Sequence, residues 1–134
     1  MAAPTHADGM LFMEYYKLWD SPLDGEAWTR FRQLREEGAF EDYETFSAAV
    51  PKTDRDFILF DRVCCSFEQA GVLMRNGLLH PDLYFEGWAV PAGVWSVVAP
   101  VVEGLRESNP EAYKNFEWLT GRYSEWLAAR DAAD

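Results

Sequence analysis

The chain is 134 residues long, carries 23 acidic against 12 basic residues for a net charge of −11, and is 49% hydrophobic and 16% aromatic. That is about one domain's length with enough apolar surface for a core, which excludes a disordered chain. The acid excess, spread along the sequence without a Lys/Arg cluster, excludes nucleic acid or an anionic membrane as the expected partner, and no apolar run reaches the ~20 residues of a membrane helix.

Residues 1–8 read as a flexible lead-in, followed by a single helical domain over 9–131. No basic segment precedes an apolar one, so no signal peptide is expected. Met10–Trp19 has apolar residues on most sides and reads as a short, largely covered helix. Ser21-Pro22, with Asp24 three residues after the serine, gives a capping-box start to a second helix. That helix runs to Glu37, buries Ala27, Phe31 and Leu34, and stops at Gly38. Its Arg30, Arg32 and Arg35 interleave with Glu26, Glu36 and Glu37 as a solvated face. Phe40–Val50 repeats the pattern with Tyr43, Phe46 and Val50 facing inward.

The central helix is expected over 53–76, opened by Thr53 and Asp56 and closed by Asn76-Gly77. Phe57, Phe60, Cys64, Phe67, Gly71 and Met74 form one apolar stripe, and Leu59, Val63, Ala70 and Leu73 form a second beside it. So broad a face marks a post packed on two sides. His80-Pro81-Asp82 starts a short helical turn that Gly87 ends. Residues 91–107 are β-branched, yet Pro100 argues against a strand, and Val94, Val98, Val101 and Leu105 keep helical spacing. A helix kinked near Pro100 is expected. Asn109-Pro110-Glu111 caps the last helix, whose face is Ala112, Phe116, Leu119, Tyr123 and Trp126. The fold class is therefore all-α: a compact single-domain bundle of about six helices.

Adjacent Cys64 and Cys65 cannot staple distant segments and read as reduced thiols, which predicts a cytoplasmic protein. One Ile, three Lys and three Asn reflect a GC-rich, bacterial codon usage. No metal site is expected, because only His80 lies outside the tail that holds His6. A carboxylate-held Mg²⁺ or Mn²⁺, as in helical nucleotide pyrophosphohydrolases, needs Glu-Glu-x-x-Glu on one helix face. Here Glu36 and Glu37 are followed by Gly38, with Glu41 one residue out of step. Asp54, Asp56 and Asp61 read as cap and surface. Cys64 lies on the apolar stripe and reads as packing, while Cys65 faces the polar side without a histidine near it in sequence. No phosphate loop or nucleophile elbow is present, so no catalytic residue and no cofactor is assigned.

The constellation with most chemical content sets polar residues beside core aromatics. Phe67-Glu68 and Phe116-Glu117 place carboxylates next to rings on two helices, and Arg106 follows Leu105. An approach of Glu68 or Glu117 to Arg106 makes either a structural clamp or a polar floor beneath a pocket walled by Trp88, Trp95 and Trp118. The leading expectation is a non-enzymatic interaction or regulatory module with a protein partner. The alternative is a small-molecule binder or an enzyme using that cleft, with Glu68, Trp88, Trp95, Arg106, Glu117 and Trp118 as binding residues. A weaker alternative is metal-dependent nucleotide hydrolysis.

Phe67-Glu68-Gln69-Ala70-Gly71, the Gly77-Leu78-Leu79 turn, Trp95, Val102-Glu103-Gly104-Leu105-Arg106 and Phe116-Glu117-Trp118-Leu119 follow a recognisable order. It resembles a family of small bacterial helical proteins catalogued as a domain of unknown function. The match covers roughly residues 57–127, about half of the chain. The resemblance implies an all-α fold and brings no activity or catalytic residues. It also implies that some members carry a membrane anchor before the domain, for which the sequence here has no apolar run.

Core position decides the cost of truncation. Phe60→Ala or Phe67→Ala is expected to cost about 3–5 kcal/mol, and Arg32→Ala almost nothing. Denaturant unfolding of the three variants checks this, and comparable losses at all three contradict the assigned helix faces.

Overall fold

The computed structural model describes residues 2–87 and 91–133, and the described residues form seven helices and no strand. In chain order these are α1 (His6–Leu18), α2 (Pro22–Glu36), α3 (Tyr43–Ala49), α4 (Arg55–Arg75), α5 (Pro81–Gly87), α6 (Pro91–Leu105) and α7 (Lys114–Ala133).

Local chemistry explains most of the boundaries. Both α1 and α2 open with reciprocal capping boxes, Thr5 with Asp8 and Ser21 with Asp24, so their first-turn N–H groups are satisfied by side chains. The first helical turn thus includes residues read from sequence as lead-in. Gly38 and Gly77, at φ 79° and 73°, end α2 and α4 in the left-handed conformation that glycine adopts without strain. Two expected caps differ. The opening expected from Thr53 and Asp56 is replaced: Asp54 is the N-cap of α4, without a side-chain cap bond, and Asp56 pairs with Arg30 at 2.9 Å. Helix α7 begins at Lys114 rather than beside Asn109, since residues 110–113 form a turn and Tyr113 takes φ 54°. The α6 helix continues through Pro100, whose position is exposed.

α4 is the central post. It packs against α2 on one side and α7 on the other, while α6 lies on α7 and α3 on α6. Its buried face is Leu59, Phe60, Val63, Cys64, Phe67, Ala70, Gly71 and Met74, the broad apolar face read from the sequence. Rings join the layers. Phe31, Phe40, Phe46 and Phe60 follow one another at centroid distances of 4.8, 5.8 and 4.6 Å. Phe67 stacks on Phe116 of α7 at 4.7 Å, and Trp95 of α6 meets Phe116 edge-on at 5.0 Å.

α1 reaches the core through polar anchors as well as rings. The Tyr15 hydroxyl donates to the Ser66 carbonyl at 2.6 Å, and the Trp19 indole N–H donates to Gln69 at 2.7 Å. Arg62 of α4 ties the α1–α2 corner: it donates to the buried Asp24 carboxylate at 2.7 Å and to the Leu18 carbonyl at 3.0 Å, and lies over the Trp19 ring.

Burial alone would raise the Asp24 pKa, but hydrogen bonds from Arg62 and Ser21 outweigh it and hold the carboxyl below the usual range. A depressed folded-state value gives stability that is full above the ordinary aspartate value of about 4 and lost as pH falls through the lower folded value. Asp24→Asn is therefore expected to lower Tm near neutral pH, with the gap to wild type shrinking below about pH 4. Thermal unfolding followed across acid pH checks the sign, and a constant gap contradicts it.

Candidate functional site

The polar residues beside the core rings converge at the start of α7. Glu68, one position along α4 from Phe67, sends its carboxylate to the first turn of α7. Its Oε1 accepts from the backbone N–H groups of Asn115 at 2.9 Å and Phe116 at 3.0 Å, and its Oε2 accepts from the Asn115 side-chain amide at 2.7 Å. A carboxylate at the positive end of the helix dipole, satisfying orphan N–H groups, serves as a cap donated from a distant helix. The approach depends on Gly71. A Cβ there would overlap the Asn115 carbonyl oxygen and lie 2.8 Å from its carbon, so α4 and α7 touch backbone to backbone.

Asn115 extends the network outward. Its Oδ1 accepts from Arg75 Nη1 at 3.0 Å, and the Arg75 guanidinium lies 5.4 Å from the centre of the Trp118 ring. Glu68, Asn115, Arg75 and Trp118 thus form one continuous line from the half-buried carboxylate to the surface.

Arg106 has a different partner from Glu68. Its Nη1 pairs with Glu117 at 3.0 Å, its Nε donates to the Ala112 carbonyl at 2.9 Å, and its guanidinium lies 5.6 Å from the Trp95 ring centre. Arg106 Nη2 is buried with no hydrogen-bond partner among the described residues. This set clasps the α6–α7 connection. Trp95, Arg106 and Glu117 therefore meet, whereas Trp118 lies on another face of α7, about 100° around the helix from Glu117. Trp88 lies outside the described residues. Among the described residues, Trp95 meets Arg106 while Trp118 meets Arg75.

A cleft of about 410 Å³ does open beside Glu68, between α4 and the 108–113 segment. Phe57 and Tyr113 supply its aromatic wall, with Asp61, Lys52 and Glu111 among its polar groups. The Tyr113 hydroxyl and the Cys65 thiol both donate to Asp61 Oδ1, the thiol at 3.4 Å. Burial pushes Tyr113 well above the usual phenol range, and the Asp61 carboxylate pushes it further. Burial, then Asp61, likewise raises the Cys65 thiol to about 12, and burial raises the wholly buried Cys64 well above the usual thiol range. Both thiols are protonated at neutral pH and are weak nucleophiles. Among the described residues no three His, Cys, Asp or Glu side chains are placed to hold a metal ion, and no single helix is long and apolar enough to cross a membrane.

Sequence reasoning flagged Glu68 but missed Asn115, Arg75, Tyr113 and the role of Asp61. One signal was present: a glycine on the central stripe, where a bulky apolar residue is expected, marks a close backbone approach.

The sequence matches the family described as Domain of unknown function (DUF4760) over residues 17–123. No curated protein and no solved structure matches the chain.

Replacing the Glu68 carboxylate by an amide sets an N–H₂ group against the Asn115 amide, two donors face to face. Glu68→Gln is expected to cost about 1.5–3 kcal/mol, the range for hydrogen bonds to a charged group, and to speed hydrogen exchange at Asn115 and Phe116 above all. Exchange measured residue by residue checks this; unchanged protection at those two amides contradicts the cap.

Proposed function

The chain belongs to the DUF4760 family, and from that premise we propose that it is a non-catalytic interaction module that pairs with a second copy of itself through the outward face of α1. One observation carries the reading. Of the large apolar side chains left exposed, Met10, Leu11, Met13 and Leu18 all lie on α1, at 60%, 44%, 50% and 57% exposure. Met10 and Met13 are neighbours on the helical wheel, with Leu11 and Leu18 on the flank of the same helix, and clustered exposed apolar side chains mark interaction sites. A shallow groove of about 440 Å³ between His6 and Lys17 is lined by Met10 and Met13. Methionine supplies adaptable contact area to such a surface.

The charges on this face favour self-pairing. Lys17 and Glu14 sit at its centre, 3.3 Å apart and exposed. In an antiparallel pair about a twofold axis between these two residues, each Lys17 faces the other copy's Glu14, and each Met13 lies opposite the other copy's Leu18. One helix on one helix buries less than the standard ~800 Å² per partner, so the association is weak and transient. The face lies mostly ahead of residue 17, where the family match begins. The two free thiols fit a reducing cytoplasm.

Sedimentation equilibrium from about 10 µM to about 500 µM tests the pairing. Wild type is expected to pass from monomer to dimer in the micromolar-to-millimolar range that a weak interface supports. Met10→Asp/Met13→Asp should remain monomeric and Lys17→Glu should weaken pairing, while the swap Glu14→Lys/Lys17→Glu restores it. Wild type monomeric throughout, or a methionine variant that dimerises as well as wild type, contradicts the proposal.

A further inference from the structure

On the opposite side of the Glu68 node, the chain's charge pattern inverts locally. The acid excess neutralises many of the cations: Arg30 meets Asp56 and Glu37, Arg55 meets Glu26, Arg62 meets Asp24, Arg106 meets Glu117, and Arg130 meets Glu86. Arg75 and Arg122 meet no carboxylate among the described residues, and both reach one cleft. It measures about 270 Å³ and lies between the end of α4, the start of α5 and α7. Met74 and Leu79, both buried, form an apolar floor, and Trp118 forms a wall.

Two other titratable groups reach this cleft, Asp8, which keeps its negative charge, and His80, and their hydrogen bonds go elsewhere, so the two guanidinium groups leave the lining net positive. Asp8 accepts from the Thr5 backbone N–H at 2.8 Å and from its hydroxyl at 3.0 Å. His80 accepts at Nδ1 from the Asp82 N–H at 3.1 Å, and its Nε2 lies 2.8 Å from the Ala2 carbonyl, which makes Nε2 the protonated nitrogen. Two guanidinium groups with unfilled donors are left at the rim. The Arg75 group is held in place by Asn115 on one side and the Trp118 face on the other.

We infer that this cleft binds a small organic oxyanion: a carboxylate or phosphate group carried on an apolar, ring-sized body. The guanidinium forks of Arg75 and Arg122 take the oxygens, since planar N–H pairs match carboxylate and phosphate geometry. Trp118, Met74 and Leu79 cover the body, in the usual pattern of an apolar pocket with a few convergent polar groups. Asn115 and Glu68 act as positioning residues for Arg75. The site falls within the residues matched to the family, apart from Asp8, and is independent of the α1 face.

Phenyl phosphate, benzoate, inorganic phosphate and benzyl alcohol serve as probes, read by the Trp118 indole N–H resonance in titrations of the whole chain. Phenyl phosphate or benzoate is expected to shift that resonance saturably, and the tighter of the two identifies the oxyanion preferred. Inorganic phosphate should bind at least about tenfold more weakly, a loss of about 1.4 kcal/mol, and benzyl alcohol should not saturate. Arg122→Ala, which removes a side chain with no ion-pair partner among the described residues, and Arg75→Ala should each weaken binding about tenfold or more, while Met10→Asp/Met13→Asp leaves it unchanged. No saturable shift with either aromatic anion up to about 10 mM, above the millimolar range of weak binding, overturns the inference. So does affinity unaltered by both arginine substitutions.

Discussion

The bond set between Glu68 and the first turn of α7 is the constraint from which the rest of the arrangement follows. A helix N-terminus buried against another helix leaves N–H groups that water cannot reach, and leaving one unsatisfied costs on the order of 1–3 kcal/mol. Glu68 meets two of these groups and the Asn115 amide at once. It can do so because Gly71, one helical turn further along α4, admits the Asn115 backbone where any side chain would block it. Cap and close approach require each other: moving α7 outward to accommodate a Cβ would break all three hydrogen bonds.

That junction also sets the register of the core. With Asn115 and Phe116 fixed, the Phe116 ring stacks on Phe67 and receives Trp95 from α6. Tyr113, immediately ahead, is carried into the left-handed region and directs its hydroxyl onto Asp61. Such a conformation costs a bulky residue of order 1–3 kcal/mol and persists where its surroundings over-determine it. Here Asp61, the Glu68 cap and the Arg106 bond to Ala112 hold the segment from three sides. On the outer side of the same junction, Asn115 hands the order on to Arg75 and Trp118. The half-buried carboxylate thus organises both a packed interior and a cationic rim on an otherwise acidic surface.

The fold was legible in the sequence because helix faces repeat. The Phe60, Val63, Cys64, Phe67, Ala70 and Met74 positions recur with helical period, and periodicity reports burial directly. The Ser21–Asp24 box and the glycines after α2 and α4 were legible for the same local reason. The Arg106–Glu117 pair was within reach as one of two possible partners. Less was readable where two distant segments decide the outcome. Nothing around Tyr113 signals a left-handed backbone, since tyrosine does not favour it, and with that turn unseen Asn109 looked like the natural cap. Asp61 resembled a surface acid because its partner is 52 residues away. Trp95 and Trp118 looked alike as aromatic walls, yet Trp118 lies one helical step beyond Glu117 and faces Arg75, away from Arg106.

The claim that Glu68 and Asn115 act as a unit is tested most directly by a double-mutant cycle of Glu68→Ala and Asn115→Ala, read by equilibrium unfolding. The account predicts a coupling of about 0.5–3 kcal/mol, as for residues sharing one hydrogen-bond network. Additivity within about 0.3–0.5 kcal/mol, the behaviour of independent sites, would contradict it.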